Sequence, residues 1–298
     1  MKVFAHCLFI YLTFFSLPSH AQYSQRDLII SKNIAINDFD SLDIQGPINV
    51  YIDATQTHTS LQVLGDAKRV FAVTYKEKNH ILHLSTKPIY WPKPGERLTV
   101  RVNVLPTQIK KILFNSNATL FGKGLMGSLS LHTCGVGQIN LYGNKLNLKS
   151  LYSKGNKSII LHNLLSSNLK IKAHNSHQIV LQGSVLLNSI DSNGDGSLWI
   201  YWINSPYLTI NASGKERILL SGVAKTLDIN LSQNAQLLAQ KLHANKGFIK
   251  TKNQAQANVN IRNTLSAFAK NKSIIYYLTP VNFISKNSEG RGLILAKN

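Results

Sequence analysis

The chain has 298 residues and a formal net charge of +20, from 33 Lys and Arg against 13 Asp and Glu. Its two cysteines are Cys7, inside a segment read below as a removable leader, and Cys134. That excludes a disulfide within the mature chain, so the core must hold the fold, and a chain of this length can supply one.

In chain order, residues 1–21 have the form of a secretory signal. Lys2 supplies the charged start, Val3 to Phe15 the apolar run and Ser19-His20-Ala21 a small-x-small cleavage site. The run is shorter than the roughly 20 apolar residues of a membrane span, and Cys7 lies too far from the cleavage point to carry a lipid. Export is expected, to the periplasm, the outer-membrane surface or the medium.

Residues 22–105 predict β-strands with hairpin-like spacing. Leu42-x-Ile44 leads to Ile48-x-Val50-x-Ile52, then Leu61-x-Val63, Val73-x-Tyr75, Leu82-x-Leu84 and Leu98-x-Val100-x-Val102-x-Val104. Ile89-Tyr90-Trp91-Pro92-Lys93-Pro94 predicts a loop, because prolines exclude a central strand.

Residues 106–298 are organised by a repeat: apolar-x-apolar, a polar turn, apolar-x-apolar. Copies include Leu129-Ser130-Leu131 with Ile139-Asn140-Leu141, Leu169-Lys170-Ile171 with Ile179-Val180-Leu181, and Leu208-Thr209-Ile210 with Ile218-Leu219-Leu220. A degenerate copy spans Leu187 to Ile200. Units of about 20 residues that each bury one face only by stacking on the next form a solenoid. The expected fold is all-β: N-terminal strands running without a linker into a right-handed parallel β-helix-like solenoid. Leu148, Leu161, Ile171, Leu181, Ile210 and Leu220 are expected to face inward.

The run from Phe39 to Ile52, with Gly46-Pro47 at its middle, followed by Leu61-Gln62-Val63-Leu64-Gly65-Asp66, resembles the opening of the auto-transporter adhesin head GIN domain family. The turns Thr133-Cys134-Gly135-Val136-Gly137, Ser192-Asn193-Gly194-Asp195-Gly196 and Ala212-Ser213-Gly214-Lys215 resemble that family's turns; Lys154-Gly155-Asn156 and Asn175-Ser176-His177 depart from them. The resemblance spans about residues 38–295. It implies an exported β-helix-like protein without catalysis.

The residues offer little to an enzyme. Gly-x-Ser-x-Gly, His-Glu-x-x-His, Cys-x-x-Cys and a phosphate loop are all absent. Glycan lyases and hydrolases on β-helices need grouped carboxylates, and from residue 129 onward the acids are only Asp191, Asp195, Glu216, Asp228 and Glu289. Asp191 to Gly196 matches the first half of a calcium loop, but the twelfth position is Trp202 where a bidentate Glu is needed; a plain turn explains the same letters. His80/His83 and His174/His177 are read as surface histidines and Cys134 as a small apolar filler. No metal or cofactor is expected.

Binding is the better expectation, and two outer rows carry it. If Ile139, Leu141 and their counterparts point inward, the outward column between them reads Asn140, Ile160, Val180, Trp199, Leu219, Leu238. Such a strip marks a partner or ligand surface, unless a loop or the C-terminal segment covers it or the register differs. Tyr201 shares the face of Trp199, so the two are candidates for stacking on sugar rings. The second row, His132, Lys149 and Lys172, is expected as a basic ladder, either a plain solvated row or a contact for phosphates and sulfates. The partners implied are an anionic polysaccharide, lipopolysaccharide or other envelope surface, or a protein or second copy at the apolar column. A purely structural envelope role and a glycan-processing enzyme are the alternatives.

Overall fold

The structure is a computed structural model describing residues 29–87, 98–155, 157–174 and 177–297. The signal at 1–21 and the loop at 89–94 lie outside the described residues. From residue 111 onward the chain winds about ten turns of parallel β-solenoid. Each turn pairs in parallel with the next, as in Gln138–Lys154 on Ser158–His174 and Ser158–His174 on Gln178–Gly194.

One turn shows why these residues form it. In residues 158–174 the buried positions are Ile159, Leu161, Leu164, Ser166, Leu169, Ile171 and Ala173. The period-2 alternation of a strand slips by one between 161 and 164 and again between 166 and 169. Each slip is a corner, so a turn has three faces around one apolar axis. Asn163 makes the first corner with a left-handed φ of 56°. Lys145, Gly183, Trp202 and Gly222 sit at the matching corners of neighbouring turns, all at positive φ. At the second corner an inward serine answers the backbone: Ser166 Oγ accepts from Leu148 N–H at 3.1 Å and Ser205 Oγ from Leu187 N–H at 2.9 Å. Leu148, Leu161, Ile171, Leu181, Ile210 and Leu220 are all fully buried in one continuous core.

The N-terminal strands are mostly not hairpins, which corrects the reading of their spacing. Ser41–Gln45 and Asn49–Asp53 do not pair with each other. They make one more solenoid turn, joined through Gly46 at φ 83° and lying in parallel on Lys111–Asn115 and Thr119–Leu125. Ile81–Thr86 and Leu98–Asn103 stack in parallel on its other side as a further turn. Among the described residues only the outermost layer is antiparallel. Ser60–Asp66 pairs with Leu98–Asn103, Ile29–Ile34 pairs with Ser60–Asp66, and Val73–Lys78 returns to Ile81–Thr86. That last hairpin turns through Asn79 and His80, both at positive φ, as a two-residue turn between right-twisted strands requires. The only helix among the described residues is the single turn Ala67–Val70.

Candidate contact surfaces

The outward column lies in the expected register. Asn140, Ile160, Val180, Trp199, Leu219 and Leu238 pair in sequence across five strand interfaces. Val180 is buried between its neighbours and the others are half-buried, each shielding the flank of the next. The row continues beyond the expected stretch. Phe121 and Tyr51 precede it; Asn258, Tyr276 and Leu295 follow. At about 4.8 Å per turn, it runs the length of the body. The C-terminal segment, a candidate cover, instead builds the last described turn, with Phe283–Gly290 stacked on Gln256–Asn271 and Leu293–Lys297 on Ile274–Leu278.

Aromatic rings stiffen one end of this face. The Arg101 guanidinium sits 5.1 Å above the Tyr51 ring, which stacks on Phe121 at 5.1 Å and 8°. Phe121 leans on Tyr142 at 5.7 Å, and Tyr142 stacks on His162 at 4.1 Å and 6°. The His162 ring then bridges to Gln182 Oε1 at 2.7 Å and to Asn140 Oδ1 at 3.1 Å. These rings spend their faces on one another, so they order the surface without offering a free stacking plane.

The basic ladder does not form. Tyr152, not Lys149, pairs with His132 on one side and Lys172 on the other, its ring 4.3 Å from that of His132. Lys149 falls at a register shift after Leu148, off the row, and its Nζ reaches Ser167 Oγ at 3.4 Å. Leu148 pairs with Leu129 and Ser150 with Ser130, so Lys149 is itself the extra residue of a bulge. Beyond Lys172 the row reads Asp191, Asn211, Asn230 and Lys250, so charges of both signs alternate with amides.

Other residues singled out from the sequence are dispersed. Among the described residues no three His, Cys, Asp or Glu stand close enough to hold a metal ion. His83 is held by Asp43 at 2.9 Å while His80 turns the hairpin, so that pair does not converge. Cys134 Sγ lies 3.9 Å from His132 Nε2. Among the described acids from residue 129 onward, Glu216 is buried. Burial pushes its carboxyl above the usual range, and the negative charge of Asp195 adds to the rise.

Trp202 escaped the sequence reading except as a missing calcium ligand. It is 73 % exposed, more than any other large apolar side chain among the described residues. The signal available was positional: it stands between Gly183 and Gly222 in the corner column, where strand alternation breaks.

The model of the family described as "Putative auto-transporter adhesin, head GIN domain" matches residues 38–218 and again 190–279. The chain belongs to this family. Among solved structures, a "putative adhesin" from Parabacteroides distasonis aligns with a TM-score of 0.51 at 16 % identity, covering 91 % of this chain and 98 % of that one. Another from Parabacteroides merdae aligns at 0.47 and 17 % identity, over 91 % and 96 % of the two chains. A "putative lipid binding protein" from Parabacteroides distasonis aligns at 0.47 and 14 %, over 91 % and 97 %. At 16 % identity the likeness to the first of these is one of fold. Among curated proteins the chain has no detectable relative. Among the described residues no helix is long and apolar enough to cross a membrane.

Proposed function

We propose that this head GIN domain protein is a non-catalytic, exported, adhesin-like protein. Its basic outer surface contacts anionic polysaccharide, lipopolysaccharide or a comparable envelope surface, in the periplasm or outside the cell. The outward-facing apolar row from Ile160 to Leu238 carries the reading. A solenoid strand needs its inner face filled, not its outer one, so an outward stripe this long has no role in the fold itself and has the character of an interface. The family name supports an adhesin-like role, and the net charge of +20 favours an anionic surface as the contact.

Trp199 anchors the stripe, because large aromatics dominate contact energies. Trp199→Ser is expected to weaken self-association or retention on lipopolysaccharide-coated and heparin matrices. The loss of stability should stay well below the 3–5 kcal/mol of a fully buried large-to-small change, since the indole is only half-buried. Retention of the native protein should also fall steeply as salt rises. A variant matching the native protein in sedimentation and retention, or native retention indifferent to salt, would overturn the proposal.

A further inference from the structure

We infer that the groove beside Trp202 binds a pyranose ring bearing a carboxylate. This deepens the adhesin-like reading and rests on it for the class of ligand, but the groove lies round the corner from the Trp199 stripe and is tested apart from it.

Trp202 is costly twice over. Its backbone sits at φ 63°, a region bulky L-residues avoid. Its side chain is left in water. The adjacent turns place Gly183 and Gly222 at their corners, also at positive φ. A Cβ on Gly222 would meet Ile203 O at 2.1 Å, and one on Gly183 would meet Leu164 O at 2.3 Å. Counted from the pairs Val185–Ile203 and Ile203–Gly222, the neighbours of Trp202 are Ser184 and Ser221, small side chains that line the same groove and are not the stacked rings that Tyr142 and His162 give each other. A strained, solvated aromatic between corners of small residues is not explained by the fold, and such outliers concentrate at binding sites.

The rest of the groove states the ligand's chemistry. It encloses about 680 Å³ and is lined by Asn204, Ser221, Lys241 and His243 as well as Trp202. Among the described residues no carboxylate lines it. Lys241 pairs with Ser221, so it stands one turn beyond that hydroxyl and lines the same groove as Trp202. Asn260 Nδ2 donates to His243 Nδ1 at 2.8 Å, which places the proton of the neutral ring on Nε2 and makes that edge a donor. An apolar ring face for stacking, an amide and a hydroxyl beside it, and a cation in the same groove together suit a sugar ring: C–H face on the indole, hydroxyls on Asn204 and Ser221, carboxylate toward Lys241 and His243. A lipid tail would leave those polar groups unpaired.

The experiment is calorimetric titration of the whole protein with a trimer of galacturonic acid and with the neutral galactose trimer. The native protein is expected to bind the acidic trimer more tightly. Trp202→Ala should weaken both trimers by about tenfold or more, the loss of one aromatic contact surface, with an unchanged melting temperature. Trp202→Gly relieves the backbone and serves as the second variant should the alanine chain fold poorly. Lys241→Gln should weaken the acidic trimer and leave the neutral one alone. Native protein that fails to bind the acidic trimer at about 10 mM, equal affinity for the two trimers, or undiminished binding by the Trp202 variants each overturns the inference. Retention on heparin that survives in those cases leaves the broader proposal standing, whereas trimer binding without retention sinks the broader proposal alone.

Discussion

Ile171 and Glu216 set the terms at the scale of single residues. Ile171 is fully buried, stacked between Leu151 and Ile190 in the inward column. Ile171→Asp places an unpaired charge on the axis, at a cost of several kcal/mol. It should abolish the cooperative melting transition; an unchanged curve would mean that the column does not face inward. Glu216 shows the native chain carrying a milder form of the same penalty. Burial first, and Asp195 next, raise its carboxyl above the ordinary value of 4.5. The fold therefore disfavours the charged form. The penalty is absent below the unfolded value and grows as pH rises through the raised folded value. Glu216→Gln should raise the melting temperature near pH 7 and leave it unchanged near pH 4. An equal gain at both would assign the effect to packing instead of charge.

Elements were legible in the sequence where one rule governs them and obscure where two compete. Period-2 alternation alone places Leu129, Leu131, Ile139 and Leu141 inside, and all four are buried. The same rule set Ile160 beside Val180 and Trp199, as the strand pairing has it. Corners obey a backbone rule instead. Lys145, Asn163, Gly183, Trp202 and Gly222 share a sign of φ and no chemistry, so no pattern of letters marks them. In sequence Trp202 therefore reads only as a missing calcium ligand, and Lys149 reads as part of a row from which a bulge displaces it. The N-terminal strands failed for a third reason. Ser41 pairs with Ile81 on one side and Lys111 on the other, and alternation cannot tell partners that distant from a neighbour across a turn.

At the scale of the whole molecule the solenoid is a one-dimensional stack, and its two ends differ. Each turn gains stability from the turns it touches, so an end must be covered or its edge must be kept from pairing with another chain. The N-terminal end is closed by the antiparallel layer of Ile29–Ile34 and Ser60–Asp66. At the last described turn every residue of Phe283–Gly290 is exposed, with Phe283 at 68 % and Ile284 at 41 %. Lys286 holds an inward position there, paired with buried Ala267. Its Nζ lies 4.7 Å over the Tyr277 ring and 2.7 Å from the Tyr277 hydroxyl. An inward-facing charge on an edge strand opposes edge-to-edge pairing, because any incoming strand would have to bury it. Lys286→Ile removes that charge and extends the apolar column to the edge. It should preserve the melting temperature while driving concentration-dependent association in sedimentation velocity. A variant as monodisperse as the native protein would show that Lys286 does not guard the edge.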